Sequence, residues 1–433
     1  MKNYKLLVPL VLVVLFAASI FMTFDSNGKT EKLYKDYLAA ARSFAEQGII
    51  VDAIENYQNA IGVKDSFALN MEIANFYKSQ NEIDMAVSWG HEILKDYPKS
   101  IEAYKFLMEM YIEIEDYTAC FKLNTAMQKR KLPMNSVSEI MEKINYNYFL
   151  HGQYEAVATY GGGFCAIMTK GAWGFVNETG SKVISTQYLE VGSYRQDLVP
   201  VLDNESQAYF IDIEGNKKKV IVGVEKVARL GSIEEGCFTL FDGDTWGLYD
   251  NDCKLISGGF DEVSSFTNGV VAVKKDARWS LIDSTGAVLL QNIYDEIVQD
   301  EKGIVYRNER LFVKENGFYY LVDILGKRIS ENKFEEAKLF NDNSYAAVKA
   351  DGKWGFIDAN GEYFIKPEYA DARSFSSEFA AVHIDGKWGF INTEKKLVIE
   401  NTFEDVKDFN GRGCVFVTFG DGWELLRLYK YNH

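Results

Sequence analysis

Six of the seven tryptophans stand on one ruler: Trp173, Trp246, Trp279, Trp354, Trp388 and Trp423 each open the same short run, written most fully as Trp354-Gly355-Phe356-Ile357-Asp358. Two further sites, Ala208 and Tyr319, keep the run without the indole, and the successive intervals are then 35, 38, 33, 40, 35, 34 and 35 residues. A period of this length means supersecondary units that cannot bury their apolar faces alone and must stack or ring.

The residues around each anchor predict a small antiparallel meander. Asn316-Gly317, Asp351-Gly352 and Asp385-Gly386 precede three anchors, and such pairs accept the positive φ at both central positions that a tight hairpin needs. The incoming strand is of the Phe379-Ala380-Ala381-Val382 type and the outgoing one is Trp388-Gly389-Phe390-Ile391. Turns such as Asp283-Ser284-Thr285-Gly286 follow, then a third apolar run such as Leu397-Val398-Ile399. An aromatic recurs fifteen residues after most anchors (Tyr188, Tyr294, Phe334, Tyr369, Phe403) and another six residues on (Tyr194, Phe340, Phe375, Phe409). A lone hairpin cannot bury rings of roughly 150–250 Å² each, so neighbouring units must cover one another.

These residues resemble the WG-repeat family over residues 154–433. The resemblance implies an all-β interaction module of eight units and brings no catalytic residues; the structural anchors are Trp173, Trp246, Trp279, Tyr319, Trp354, Trp388 and Trp423. The glycine after the anchor is kept at Gly174, Gly247, Gly355 and Gly389 but replaced by Tyr209, Ser280, Tyr320 and Glu424, which reads as a close approach that is not obligatory. The last unit lacks its aromatic tail, while Tyr154, Val157, Tyr160 and Phe164 precede Trp173 by the offsets at which Tyr369, Ala372, Phe375 and Phe379 precede Trp388. A first segment completing the last unit favours a propeller-like ring, with an open β-solenoid as the alternative.

Residues 29–153 read as amphipathic helices resembling tetratricopeptide repeats: Ala53, Ala86 and Ala119 are 33 residues apart, each after a candidate turn, with Phe44 and Tyr77 at one equivalent site. A final helix is expected over Ser138–Leu150, and Gly161-Gly162-Gly163 reads as a turn, not a phosphate cradle, since no Lys-Ser/Thr end follows it. Leu6–Phe24 is an uncharged apolar stretch of 19 residues, about 28 Å as a helix. Lys2 and Lys5 before it and Asp25 after it predict a signal anchor within residues 1–28, single-pass in the cell membrane, with the N-terminus cytoplasmic and the bulk extracytoplasmic; a cleaved signal peptide is the competing reading.

A net charge of −16 argues against nucleic acid as a partner. The five cysteines do not form an even framework, and Cys165, Cys237 and Cys414 fall where other units carry Val271, Ala346 and Ala380, as buried small residues. His383 sits where other units place Lys274, Lys314 and Lys349; His91, His151 and the terminal His433 have no evident catalytic partner. Asp242, Asp244, Asp250 and Asp252 cluster around one anchor, yet they coincide with two turns and miss the calcium-loop spacing; the acids after the tail aromatic (Asp261, Asp295, Glu335, Glu404) read as turn caps or local ion pairs. No cofactor is expected. The functional expectation is a non-enzymatic, membrane-tethered adaptor for a protein or peptide partner, with cell-wall glycan binding as the alternative and a hydrolase as a third reading.

Overall fold

The computed structural model describes residues 28–432 other than 220, 222, 223, 225 and 342–344, and the chain divides into two compact units that meet in sequence at Asn147 and Tyr148.

In the helical unit, a helix over 28–46 (α1) is followed by α2 (Ile50–Val63), α3 (Phe67–Ser79), α4 (Ile83–Asp96), α5 (Ile101–Glu113), α6 (Tyr117–Lys129) and the short α7 (Ser138–Ile144). Ser66, Ser100 and Asp116 start α3, α5 and α6 by accepting hydrogen bonds from the amides of Leu69, Ala103 and Ala119 at 3.2, 3.2 and 3.0 Å. The expected turns hold positive φ at Gly48, Asn81 and Glu115. Ala53 and Ala86 are fully buried, whereas at the third turn Cys120 takes the fully buried place and Ala119 is half-buried.

The composite architecture expected from the sequence is corrected here. The first six helices form a six-helix stack in which neighbours in sequence pack together, and the alanine period that suggested a tetratricopeptide-like solenoid fails at its third step. Among the described residues no helix is long and apolar enough to cross a membrane. Helices α2–α6 have 13 or 14 residues, about 20 Å against a hydrocarbon core of about 30 Å. The segment Leu6–Phe24, on which the transmembrane anchor and the single-pass cell-membrane localisation rested, lies outside the described residues. Neither the anchor nor that localisation is supported.

Unit two, Tyr148–Asn432, is an eight-bladed β-propeller. Blades 1 to 4 span Ala156–Tyr188, Glu190–Lys219, Arg229–Phe260 and Glu262–Tyr294, each a four-stranded antiparallel sheet in chain order. Blade 5 (Glu296–Val322) has three strands; blades 6 and 7 span Glu336–Tyr369 and Asp371–Phe403 with four. Blade 8 takes Asp405–Leu428 and receives its outer strand from Tyr148–Tyr154, which pairs with Trp423–Leu428. That pairing closes the ring and removes the open solenoid. It also replaces the second half of the helix expected over Ser138–Leu150: Tyr148, Phe149 and Leu150 extend because Phe149 packs on Tyr429 and Tyr148 on Phe403, with ring centroids 5.0 and 6.3 Å apart.

The core lies in the seams between blades. Phe356 of blade 6 meets Phe375 of blade 7 edge-on at 5.0 Å, and Phe390 of blade 7 meets Phe409 of blade 8 at 4.9 Å. At the closing seam Tyr160 of blade 1 stacks on Phe416 of blade 8 at 5.6 Å, with Cys165, Ile167 and Leu425 buried around them.

Candidate binding site in the central channel

The anchors are structural in placement. Each pairs across its hairpin with the residue five positions earlier: Lys274↔Trp279, Lys314↔Tyr319, Lys349↔Trp354, His383↔Trp388. Each also pairs with the aromatic that follows: Trp173↔Tyr188, Trp246↔Phe260, Trp279↔Tyr294, Tyr319↔Phe334, Trp354↔Tyr369 and Trp388↔Phe403. For Trp423 the partner is Tyr154, brought round from the start of the unit. Trp279, Tyr319, Trp354 and Trp388 are buried, and Trp173, Trp246 and Trp423 half-buried.

The glycine after the anchor matters more than its replacements suggest. A Cβ on Gly355 would lie 2.5 Å from the Ile365 carbonyl oxygen and 2.7 Å from the Pro367 nitrogen; on Gly174 and Gly389 it would meet backbone at 2.6 and 2.8 Å. The outer strand bulges toward the anchor strand at this point. Where Tyr209 stands in the place of this glycine the outer strand shrinks to Lys217–Lys219, and beside Tyr320 only isolated bridges remain. Ser280 and Glu424 are accommodated with the outer strand kept.

The other polar residues singled out in the sequence serve local structure. Asp242 accepts hydrogen bonds from the amides of Asp244 and Thr245, and Asp250 from those of Asp252 and Lys254, all at 2.8–2.9 Å. Glu335 caps the Gly352 amide at 3.1 Å, while Asp295 and Glu404 pair with Arg278 and Lys387. Burial pushes the Cys165, Cys237 and Cys414 thiols above the ordinary cysteine range. The His383 ring packs edge-on against Trp388 at 5.2 Å, and His91 Nε2 shares a 2.6 Å hydrogen bond with the Tyr111 hydroxyl. His433 lies outside the described residues.

Chemistry concentrates instead at the centre of the ring. Each blade's inner strand is only two residues long, and the residue after it faces the channel. In blades 1 to 4 these are Ala158, Gly192, Gly231 and Ser264; in blades 6 to 8 they are Lys338, Arg373 and Lys407. One sector is therefore small and the other cationic. The Lys338 ammonium donates to Asp371 Oδ1 at 2.8 Å and Arg373 Nε to Asp408 Oδ1 at 2.6 Å, so each cation ties its blade to the next.

Blade 5 departs from the period. The interval of 40 residues from Trp279 to Tyr319 is the longest of the array, and the extra chain is a tight loop, Asp300–Ile304, pinned by the Gly303 amide on the Asp300 carbonyl at 2.9 Å. It reaches across the channel. On one side Ser265 of blade 4 donates its amide to the Gly303 carbonyl at 2.9 Å and its hydroxyl to the Lys302 carbonyl at 2.8 Å. On the other, the Glu301 carboxylate accepts from Arg373 Nη2 at 2.8 Å and from Lys407 Nζ at 3.0 Å. The loop borders several cavities of the channel, one of them about 640 Å³.

Electrostatics follow from this packing. Burial alone would raise the Glu301 and Asp408 pKa values, but the charges of Arg373 and Lys407 on Glu301, and of Arg373 on Asp408, outweigh it and hold both carboxyls below their usual range. Burial pulls the Arg373 pKa down, and Asp408 and Glu301 more than reverse it, keeping the guanidinium charged.

Comparison with known proteins bears on the repeats. The WG containing repeat family model matches residues 173–205, 246–279, 321–354, 354–388 and 388–423, each match opening or closing on an anchor of the ruler. These are WG containing repeats. The matched segments straddle blade boundaries, and 246–279, 354–388 and 388–423 run from one anchor to the next. No curated protein matches the chain closely enough to stand as a relative. Among solved structures the chain is similar to Kluyveromyces lactis Hsv2p (10% identity, 57% of this chain and 96% of that one, TM-score 0.38). It is also similar to a structure titled as the eukaryotic initiation factor (13% identity, 62% and 82%, TM-score 0.39). Likeness at this level carries no statement about partner or activity. A propeller of WG containing repeats suggests interaction with other proteins.

Proposed function

We propose that this protein is a non-enzymatic adaptor whose propeller docks a partner protein through one rim. The supporting observation is a recurrence. Leu255, Val288, Tyr363 and Leu397 each lie nine residues after an anchor, each begins the outer strand of its blade, and they are 52, 60, 37 and 36% exposed. Lys182 and Arg328 occupy the same offset after Trp173 and Tyr319, so the position accepts charge and the fold does not require an apolar side chain there. Single exposed apolar residues need no explanation, but a set repeated on equivalent sites of four blades is a surface suited to burial against apolar protein.

The glycan reading needs a row of open aromatic faces. None of the seven anchors is exposed, and the recurrent exposed set contains only one ring, Tyr363. A protein partner therefore fits better.

The test is quantitative affinity capture with the full chain and with a Leu255→Ser, Leu397→Ser variant that melts at the wild-type temperature. A stoichiometric protein partner captured by the wild type and lost from the variant is expected; equal capture by both overturns the rim assignment.

A further inference from the structure

One of the channel cavities, about 380 Å³, lies where blades 1, 2, 3 and 5 converge, and its charged lining residues are Arg195, Glu234, Lys302 and Arg307. Three cations thus face one carboxylate inside a chain whose net charge is −16. Two of the cations are answered: Arg195 pairs with Glu234, and Arg307 Nη2 with Asp300 Oδ2 at 2.7 Å.

Lys302 is different. Among the described residues its ammonium makes no hydrogen bond and no ion pair, although its backbone is fixed, the amide donating to Asp300 Oδ1 at 2.8 Å and the carbonyl accepting from Ser265. The nearby carboxylates of Asp300 and Asp408 are already committed to Arg307 and Arg373. Burial, then the charge of Arg307, pushes the Lys302 pKa below the usual lysine range. Arg195 also lines this cavity, and its Nε is a buried donor without a partner. A buried donor left unpaired costs about 1–3 kcal/mol; Arg195 Nε is such a donor, and the half-buried Lys302 adds an unpaired charge to the same cavity, so the two favour an acceptor from outside the chain.

We propose that this cavity binds the anionic group, carboxylate or phosphate, of a small molecule, held directly by Lys302 and Arg195. The volume lies in the range of small-ligand sites, about 300–1,000 Å³. Because Lys302 belongs to the loop that spans the channel, occupancy brings a negative charge to the plug itself. The inference is independent of the rim assigned above to a protein partner.

Titration calorimetry on the full chain, with inorganic phosphate in one arm and citrate in the other at matched ionic strength, tests it. Saturable binding in at least one arm is expected, weakened about tenfold or more in Lys302→Met and largely kept in Lys302→Arg, as expected for loss or retention of a charge-assisted hydrogen bond; which arm binds distinguishes phosphate from carboxylate. Absence of saturable binding in both arms, or equal affinity in Lys302→Met, overturns the proposal. Should Lys302→Met fail to fold, the wild-type melting temperature decides: a saturable rise with phosphate or citrate that sodium chloride does not reproduce supports the site, and its absence in both overturns it.

Discussion

Glu301 and Arg373 belong to blades two places apart in the ring, yet the carboxylate and the guanidinium meet at 2.8 Å over the channel. The same guanidinium holds Asp408 of the following blade at 2.6 Å. Removing Arg373 strands one largely buried carboxylate and releases the loop of blade 5 from the cationic sector. Arg373→Met is expected to destabilise the propeller by about 3–5 kcal/mol, the range for breaking a buried ion pair from one side. Urea denaturation measures it, and a double-mutant cycle with Asp408→Asn should recover part of the loss.

Acid should loosen this network. Asp408 and Glu301 titrate below their ordinary values in the folded protein, so their contribution is fully present above the unfolded-state values, about 4 for both carboxyls. It is lost as pH falls through the depressed folded values, because the unfolded chain then binds more protons. The melting temperature is expected to drop below about pH 4, and the drop should be smaller in Asp408→Asn measured over the same range.

A methyl group placed on Gly355 has nowhere to go: the contacting atoms are backbone of the bulged outer strand at 2.5 and 2.7 Å. Gly355→Ala is expected to cost about 1–3 kcal/mol, as overpacking does. Gly352→Ala meets no atom within 4 Å but sits at φ +71°, so its cost is conformational and smaller, about 1 kcal/mol. Chemical denaturation of the two variants side by side separates the causes.

Trp354 is 4% exposed and packs with Phe356, Ile365 and Phe375 at the seam of blades 6 and 7. Trp354→Ala is expected to lose about 3–5 kcal/mol. A loss under about 1 kcal/mol in a urea melt would show that the seam is not the core.

Much of the propeller could be read from residues alone because its signals are local and repeated. The Asp351-Gly352 and Asp385-Gly386 pairs do adopt positive φ at both positions, and Tyr154 stands opposite Trp423 as its offset from Trp173 implied. Tyr148–Leu150 escaped because three residues carry no period, and their extension is decided by Trp423–Leu428 at the other end of the unit. The channel escaped for a different reason. Lys338, Arg373 and Lys407 hold the same place after the inner strand as Ala158, Gly192 and Gly231, so the position has no common chemistry to notice. Only the 40-residue interval flagged blade 5, and an interval says that chain is added, not where it goes. The loss of the alanine rule at Ala119 has the same character: a one-residue shift to Cys120 is settled by packing, not by spacing.

The strand that completes blade 8 has a kinetic consequence. Gln153 Nε2 donates to the Asp421 carbonyl at 3.1 Å between residues 268 positions apart, so the unit's earliest-made strand waits for its latest-made one. Until the final hairpin has been made, Tyr148–Tyr154 has no strand to pair with and the ring cannot close. Closure of such distant contacts is slow, and that interval is when the nascent chain is most in need of a chaperone.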